Sequence, residues 1–287
     1  MHTLAEIPPW EWPVDANDDI LQVLADGESP EAERLLAAEL AGDLTVMNDV
    51  LAEELLRILA SPGEPETLRA RAAISLGPVV EEGEIGGFEE PDILAVTEGV
   101  LRRAKASLRE LYHDPEIPKK VRRCALEASV RASEPWHPGA IRAAFHDGDP
   151  EWRLTAVFSM RFVPGFDDEI VEALGDDDAE VLYQAVCAAG DQGVDGAWAC
   201  VRRLVLAAAS GALILPDDPD AEWSILLAAM NAVASIRPLE AHETLSGLVE
   251  SEDEDISEAA LEVLDMVEGL WVDEDEDDDG EDEPTWH

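Results

Sequence analysis

The sequence predicts an all-α protein built from stacked helix pairs, and three observations lead to this prediction. Apolar residues recur at three- and four-residue steps along the chain, as they do on one face of an α-helix. Asp-Pro and Ser-Pro dipeptides recur where such stretches begin, and both residue types favour a helix start. An alanine also recurs at one fixed place in successive stretches, which indicates a repeated unit.

The clearest helix pair is predicted between Asp147 and Leu174. Asp149-Pro150 is a helix start signal, and one apolar face follows it at Trp152, Ala156, Val157 and Met160. Pro164-Gly165 ends this helix, and residues 166–174 predict a second, shorter one. Such a pair cannot bury its own apolar face, so it requires neighbours of the same kind.

Further copies appear when Trp152 and the alanine four residues after it serve as the frame. The aligned positions are Leu68, Val121, Trp152, Val181, Trp223 and Ile256, and each except Trp223 has an alanine four residues later. The alanine has a physical role, since it lets helix axes approach closely where units stack. The alternative is an ordinary amphipathic helical protein whose alanine-rich composition imitates a period.

Three segments resemble a known repeat family: Leu68-Arg-Ala-Arg-Ala72, Val121-Arg-Arg-Cys-Ala125 and Asp149-Pro-Glu-Trp-Arg153. They are similar to the HEAT-like repeats named after the phycobilisome lyases, in which an Asp-Pro start, a Val-Arg pair and an alanine-rich inner helix recur. The resemblance covers roughly residues 30–270, and the last three units lack the arginine. It implies a right-handed α-α superhelix, a HEAT-like or armadillo-like α-solenoid. It implies little about function, because such folds host many roles.

The remaining elements follow from the same signals. Residues 1–16 predict an irregular Pro/Trp-rich N-terminal cap in which Trp10 and Trp12 cover the first helices, although exposed, binding tryptophans are an alternative. The solenoid is expected to span residues 17–272. Its helices are predicted, in order, at 30–42, 47–60, 65–76, 91–113, 115–132, 138–146, 179–189, 196–210, 221–236, 241–249 and 256–271, with a glycine-rich acidic loop at 77–91.

The C-terminal residues predict an acidic disordered tail. Between residues 273 and 283, ten of eleven residues are acidic, and such a segment repels itself and lacks apolar side chains. We therefore expect residues 273–287 to be disordered.

The charge of the chain excludes some partners. The net charge is −47, and lysine occurs only at positions 105, 119 and 120. Such a surface repels phosphates and favours cationic partners, so we expect no direct binding to nucleic acid. A salt-adapted or GC-rich proteome would produce the same composition without any selected partner.

The location of the protein is expected to be cytoplasmic, without membrane binding. The N-terminus has no signal-peptide pattern, and the apolar stretch 204–215 is too short to span a bilayer. Cys124, Cys187 and Cys200 form no metal or redox motif and are expected to be reduced, buried thiols.

No catalytic pattern stands out in the sequence. Nucleophile elbows, zinc-protease motifs and phosphate-binding loops are all absent. His113 and His146 fit a capping role at helix ends. His242-Glu243 is a single pair of the kind that deoxyhypusine hydroxylases, which are HEAT-like iron enzymes, use several times, so that activity is not carried over. We therefore expect no enzyme activity, cofactor or metal.

One basic segment interrupts the acidic chain. Between Leu101 and Arg161, the sequence contains twelve lysines and arginines but only eight acidic residues. Successive inner helices of a solenoid bring equivalent positions together on the concave face. We therefore predict an arginine ladder formed by Arg69, Arg71, Arg122, Arg123 and Arg153, with Trp152 beside it. Guanidinium groups bind carboxylates or phosphates in two-pronged contacts. The alternative is that these arginines pair with acidic residues of adjacent repeats.

These features favour a non-catalytic interaction scaffold. Its concave face would hold an acidic or helical partner segment, while the acidic surface and the tail would recruit basic partners. In one variant the tail folds back onto the arginine ladder. One alternative is a HEAT-like enzyme: a phycobilin-lyase-like chromophore lyase, a small-molecule lyase or a nucleic-acid glycosylase. Another is an acidic nucleic-acid mimic that binds a basic protein. Heparin retention would support nucleic-acid binding, and an absorbance spectrum would reveal a bilin or iron. The sequence does not indicate the oligomeric state.

Overall fold

The computed structural model describes residues 2–85, 96–212 and 219–276, and these residues form α-helices and turns without any strand. The all-α prediction is therefore confirmed. The chain divides into two compact units, Met1–Val163 and Pro164–His287, which we call the N-terminal unit and the C-terminal unit. Each unit is a stack of helix pairs.

Within its described residues, the N-terminal unit consists of four helix pairs with additional short elements. Its helices are α1 (His2–Ala5), α2 (Ala16–Ala25), α3 (Glu31–Leu40), α4 (Asp49–Ala60), α5 (Glu66–Ser75), α6 (Gly77–Ile85), α7 (Glu98–His113), α8 (Lys119–Ser129), α9 (His137–Phe145) and α10 (Pro150–Ser159). The inner helices α3, α5, α8 and α10 pack against one another in that order. Each also packs against the helix before it in its pair, α2, α4, α7 or α9.

The C-terminal unit repeats this plan with three helix pairs in the part of it that the structure describes. Its helices are α11 (Asp167–Ala173), α12 (Ala179–Asp191), α13 (Trp198–Ala209), α14 (Pro219–Ile236), α15 (Pro238–Val249) and α16 (Glu254–Glu276). The inner helices α12, α14 and α16 form one layer. Gly190 allows the close contact of α12 with α14, because an added Cβ would lie 3.0 Å from the Ala232 Cα.

The predicted frame lies in the core of both units. Leu68, Val121, Trp152, Val181 and Ile256 are buried, whereas Trp223, which lacks the following alanine, is 38 % exposed. The frame alanines are fully buried; they are Ala72, Ala125, Ala156, Ala185 and Ala260. The Asp149-Pro150 start signal acts as predicted, since the Asp149 side chain accepts a hydrogen bond from the Glu151 backbone N–H at 2.9 Å.

The segment predicted as a loop at 77–91 begins as a helix. Residues 77–85 form α6, which packs against α7 and α8 and buries Val79 and Val80. This burial offsets the poor helix propensity of the glycines. The rest of the predicted loop, from residue 86, lies outside the described residues.

The long helix predicted from residue 91 is shorter in the structure. It begins at Glu98 as α7, after Thr97 in an extended conformation. The Thr97 backbone N–H donates to the Asp49 Oδ1 at 2.7 Å, which holds the chain outside the helix at this point. Residues 91–95 lie outside the described residues.

The N-terminal residues are more regular than predicted. The sequence pattern gives no helix before Ser29, but Ala16, Ile20 and Leu24 form the buried face of α2. Trp12 does cover the first helices, since its Nε1 donates to the Leu4 carbonyl oxygen at 2.9 Å. Trp10 does not, because it follows Pro9 in a 3₁₀ turn and is 79 % exposed.

The last helix extends beyond its predicted end. The sequence places this end at residue 271, whereas α16 continues to Glu276 and includes the first four residues of the predicted tail. Residues 277–287 lie outside the described residues, so the predicted disorder of the tail stays a prediction. Within the described ranges, no helix combines the length and the apolar character needed to cross a membrane.

Candidate functional site

Two members of the arginine ladder are bound to the backbone of their own helix pair. The Arg69 Nε donates to the Leu59 carbonyl oxygen at 3.0 Å, and the Arg122 Nε donates to the Tyr112 carbonyl oxygen at 3.0 Å. Leu59 and Tyr112 lie near the C-terminal ends of α4 and α7, where carbonyl groups lack helical partners. Both arginines therefore cap the preceding helix, a contact that the sequence analysis does not foresee.

Arg34 belongs to the same series and is missing from the prediction. Its Nε donates to the Leu24 carbonyl oxygen at 3.2 Å, again ten residues earlier in the chain. The signal is present in the sequence, because Pro30, Arg34 and Ala37 repeat the spacing of Pro65, Arg69 and Ala72. The series of repeats therefore begins one helix pair earlier, with Arg34 on α3, than the frame that starts at Leu68 indicates.

The buried arginines differ in how their guanidinium groups are satisfied. Arg34 also donates to Glu64 in a two-pronged ion pair, with distances of 2.6 and 2.9 Å. Glu64 precedes the start signal of α5, and the residue at the equivalent place before α8 is Ile117. The Arg69 Nη2 is buried without a hydrogen-bond partner. We attribute the missing partner of Arg69 to Ile117, an apolar residue that takes for Arg69 the place that the Glu64 carboxylate takes for Arg34.

Trp152 lies beneath an arginine, as part of an aromatic cluster. The Arg122 Cζ lies 5.5 Å from the centre of the Trp152 ring and 5.9 Å from that of Tyr112. The Tyr112 ring also lies 5.2 Å from the Trp136 ring. Trp152 is buried, with 9% of its surface exposed. Its contact with Arg122, which also lies over Tyr112, joins α7, α8 and α10.

The other ladder members have mixed environments. The Arg123 Nε donates to the Thr155 Oγ1 at 2.9 Å, and its Nη1 lies 2.9 Å from a Glu151 carboxylate oxygen. The Arg153 Cζ lies 4.2 Å above the centre of the Phe145 ring. Only Arg71 has an exposed guanidinium with a long ion pair, at 3.9 Å from Glu39. Most of the ladder is thus engaged inside the N-terminal unit.

A basic patch, smaller than the predicted arginine ladder, lies around Cys124 on α8. The charges of Arg71, Lys120, Arg123 and Glu127 all reach the Cys124 thiol. Burial raises the pKa of this thiol to about 12, so it stays protonated. All three cysteines are free and half-buried, less buried than expected. Lys120 is exposed and forms no ion pair with any residue that the structure describes.

His137, at the start of α9, is a buried histidine held neutral by its surroundings. Its Nδ1 accepts a hydrogen bond from the Glu134 backbone N–H at 2.8 Å, and its Nε2 lies 3.1 Å from the Ser129 Oγ. Burial lowers the pKa of His137 to about 4; Glu134 opposes this shift, whereas Arg109 and Lys105 contribute to it. Protonation of Nδ1 would remove the acceptor for the backbone N–H.

We expect acidification to destabilise the fold through His137. Because its pKa falls from 6.5 to about 4 on folding, the unfolded chain takes up the proton first. The stability contributed by the neutral ring is therefore complete above pH 6.5 and lost towards pH 4, by about 3 kcal/mol. Urea unfolding of the wild type and of His137→Gln would isolate this effect from the carboxylates. The difference between the two proteins should shrink on acidification, and a constant difference would contradict the assignment.

The acidity of the chain is concentrated in the C-terminal unit. Pro164–His287 contains 35 acidic residues, three arginines and no lysine. Each arginine contacts a side chain of the same unit. Arg202 donates to the Thr244 Oγ1 at 2.9 Å, Arg237 to the Asp195 Oδ1 at 2.7 Å, and Arg203 lies 3.9 Å from the Cys200 Sγ. These arginines therefore neutralise little of the acidic surface.

Metal ligands do not cluster in the part of the chain that the structure describes, where no group of three or more histidine, cysteine or acidic side chains could hold an ion. His113 ends α7, and His146 follows α9 as its C-cap; both side chains are exposed. His242 lies in α15, where the Ser246 Oγ donates to its carbonyl oxygen at 2.7 Å.

Comparisons with known proteins show only distant likeness. No family model and no curated protein matches the chain. Among solved structures, YibA from E. coli has a TM-score of 0.44 at 12% identity, covering 86% of this chain and 92% of YibA. Human deoxyhypusine hydroxylase in complex with glycerol has a TM-score of 0.36 at 16% identity, covering 88% and 96%. An engineered protein has a TM-score of 0.33 at 17% identity, covering 90% and 98%. The fold assignment therefore rests on the helix packing described above.

Proposed function

We propose that the chain is a non-catalytic protein-interaction scaffold whose acidic surface, above all that of the C-terminal unit, engages basic segments of partner proteins. The charge distribution carries this proposal. The 35 acidic residues of that unit face only three arginines, each already in contact with a side chain of its own unit. Many of the acidic side chains are exposed, such as Asp167, Asp168, Asp177, Asp178 and Glu180 on and between α11 and α12.

The geometry of the N-terminal unit weighs against the arginine ladder as the main binding surface. Arg69 and Arg122 donate to backbone carbonyls, and Arg123 contacts Glu151 and Thr155. Arg69 is buried and the Arg123 side chain is only 13% exposed, so an acidic partner could reach either guanidinium only after the helices had rearranged. The acidic surface needs no such rearrangement.

We expect the full-length protein to bind a fluorescein-labelled oligo-lysine peptide in a salt-dependent manner. Anisotropy titrations at about 0.1 M and about 1 M salt would measure this binding. The Debye length falls from about 10 Å to about 3 Å over this range, so the affinity should fall at least about tenfold. Absent binding at low salt, or binding that salt leaves unchanged, would overturn the proposed function.

The same titration with a labelled oligo-glutamate peptide tests a second candidate function, an acidic partner held by the N-terminal unit. The observation in its favour is the patch of Arg71 and Lys120, of which Arg71 has only a long ion pair and Lys120 none within the described ranges. Oligo-glutamate binding that is lost in the variant Arg71→Ala with Lys120→Ala would support this candidate. Oligo-glutamate binding that persists in that variant would exclude the patch.

A further inference from the structure

A cavity of about 310 Å³ lies in the C-terminal unit, between the C-terminal end of α13 and the first turns of α14 and α16. Trp223 and Leu226 of α14 line it together with Ile256 of α16. Three carboxylate residues complete the wall: Glu222, Asp253 and Asp255. The cavity thus combines an aromatic ring, aliphatic side chains and acidic groups.

This combination suits a positively charged side chain. Tryptophan is the best of the aromatic residues at attracting a cation to its ring face. The Asp253 Oδ1 accepts the backbone N–H of Asp255 at 3.1 Å, and Asp253 retains its second carboxylate oxygen. The C-terminal end of α13 carries partial negative charge, and its residues Ala208 and Ala209 also line the cavity.

None of the cationic side chains that the structure describes in this unit occupies this position. The cavity lining contains no lysine, arginine or histidine. All three arginines of the unit contact other residues, Thr244, Cys200 and Asp195, none of which lines the cavity. The volume lies at the lower limit of small-molecule pockets, which measure roughly 300–1,000 Å³, and is large enough for one side chain. Aliphatic walls would cover the stem of a lysine or arginine while its charged head meets the carboxylates.

We propose that this cavity binds the side chain of an arginine or lysine from a basic segment of a partner protein. The inference rests on the proposed function and adds to it the place where the partner is anchored. The wider acidic surface attracts the segment over a distance, whereas Trp223 and its neighbouring carboxylates hold one residue in contact.

The experiment is an anisotropy titration of the full-length protein with a fluorescein-labelled oligo-arginine peptide. Trp223→Ala should weaken the affinity about tenfold, and Asp255→Asn about threefold. Two matched control variants remove a tryptophan ring and a carboxylate that lie outside the cavity. Trp10→Ala removes an exposed tryptophan, and Asp265→Asn removes an exposed carboxylate of α16 that does not line the cavity. Both controls should stay within about twofold of the wild type.

The outcomes separate the two proposals. If the wild type binds the oligo-arginine peptide but Trp223→Ala and Asp255→Asn match their controls, the cavity proposal is wrong while the acidic scaffold stands. If the wild type fails to bind the peptide at about 0.1 M salt, the scaffold proposal itself fails. A peptide with citrulline in place of arginine keeps the shape without the charge. Equal binding of that peptide would overturn the assignment of a cation.

Discussion

Replacing Arg34 by alanine is expected to lower the free energy of unfolding by about 3–5 kcal/mol. The Arg34 side chain is 6% exposed and pairs with the Glu64 carboxylate, itself 13% exposed. It also donates from two nitrogens to the Leu24 carbonyl oxygen. Its removal leaves a carboxylate and a helix-end carbonyl without their main partner, and each such loss is costly in a buried site. Urea unfolding followed by circular dichroism would measure the change.

Arg57 provides the control for this substitution. It contacts the same Glu64 at 3.4 Å, but its side chain is 49% exposed, so Arg57→Ala should cost less than about 1 kcal/mol. Acid should reduce the effect of Arg34→Ala. The guanidinium of Arg34 lowers the pKa of Glu64 below its ordinary 4.5, so the pair contributes fully above that pH and is lost below it. Equal, small effects of the two variants at neutral pH would show that the Arg34 pair is not a main stabilising contact.

Replacing Phe166 by alanine is expected to destabilise the C-terminal unit by about 3–5 kcal/mol. Phe166 is only 1% exposed and is the largest of the fully buried side chains. It lies directly before α11, after Gly165, whose φ of 91° turns the chain. A ring deleted from this position leaves a cavity, and the cost follows from the lost contacts together with the unfilled volume.

Chemical denaturation would measure the effect of Phe166→Ala against two further variants. Phe166→Leu retains most of the apolar volume and should cost clearly less. Leu239→Ala removes an apolar side chain that is 73% exposed in the same unit, and it should change stability by no more than about 0.5 kcal/mol. Similar losses for Phe166→Ala and Leu239→Ala would contradict the burial seen here.

The sequence predicts the fold best where one signal repeats. The spacing of Leu68, Val121 and Trp152 identifies the buried side of successive inner helices, because helical periodicity depends on the side chains alone. It predicts α6 wrongly, since the glycines and acidic residues of 77–91 favour a loop locally. Only packing against α7 and α8 reveals that Val79 and Val80 become buried. The start of α7 is missed for a similar reason, because Asp49 on another helix binds the Thr97 backbone.

The candidate site could be predicted only in part. The sequence analysis identifies Arg69 and Arg122 but misses Arg34, and the binding partners of all three depend on the geometry of the helix pair. Arg69 and Arg122 each reach a carbonyl oxygen ten residues earlier, and that reach exists only after the pair has closed. The cavity beside Trp223 could not be predicted from the sequence. Its lining comes from three helices, of which α16 is separated from α13 and α14 by the whole of α15. The sequence shows that Trp223 differs from the other frame positions, but it does not indicate why.

The arginine-to-carbonyl bonds also bear on how the repeats assemble. Arg34, Arg69 and Arg122 each close a chain segment of ten residues, within a single helix pair. The entropy lost in closing so short a loop is small, and no neighbouring pair is required. Each of these helix pairs can therefore form its arginine-to-carbonyl bond before it packs against its neighbours. A gene duplication that copied such a helix pair would also copy the arginine and the carbonyl-bearing residue that form this bond.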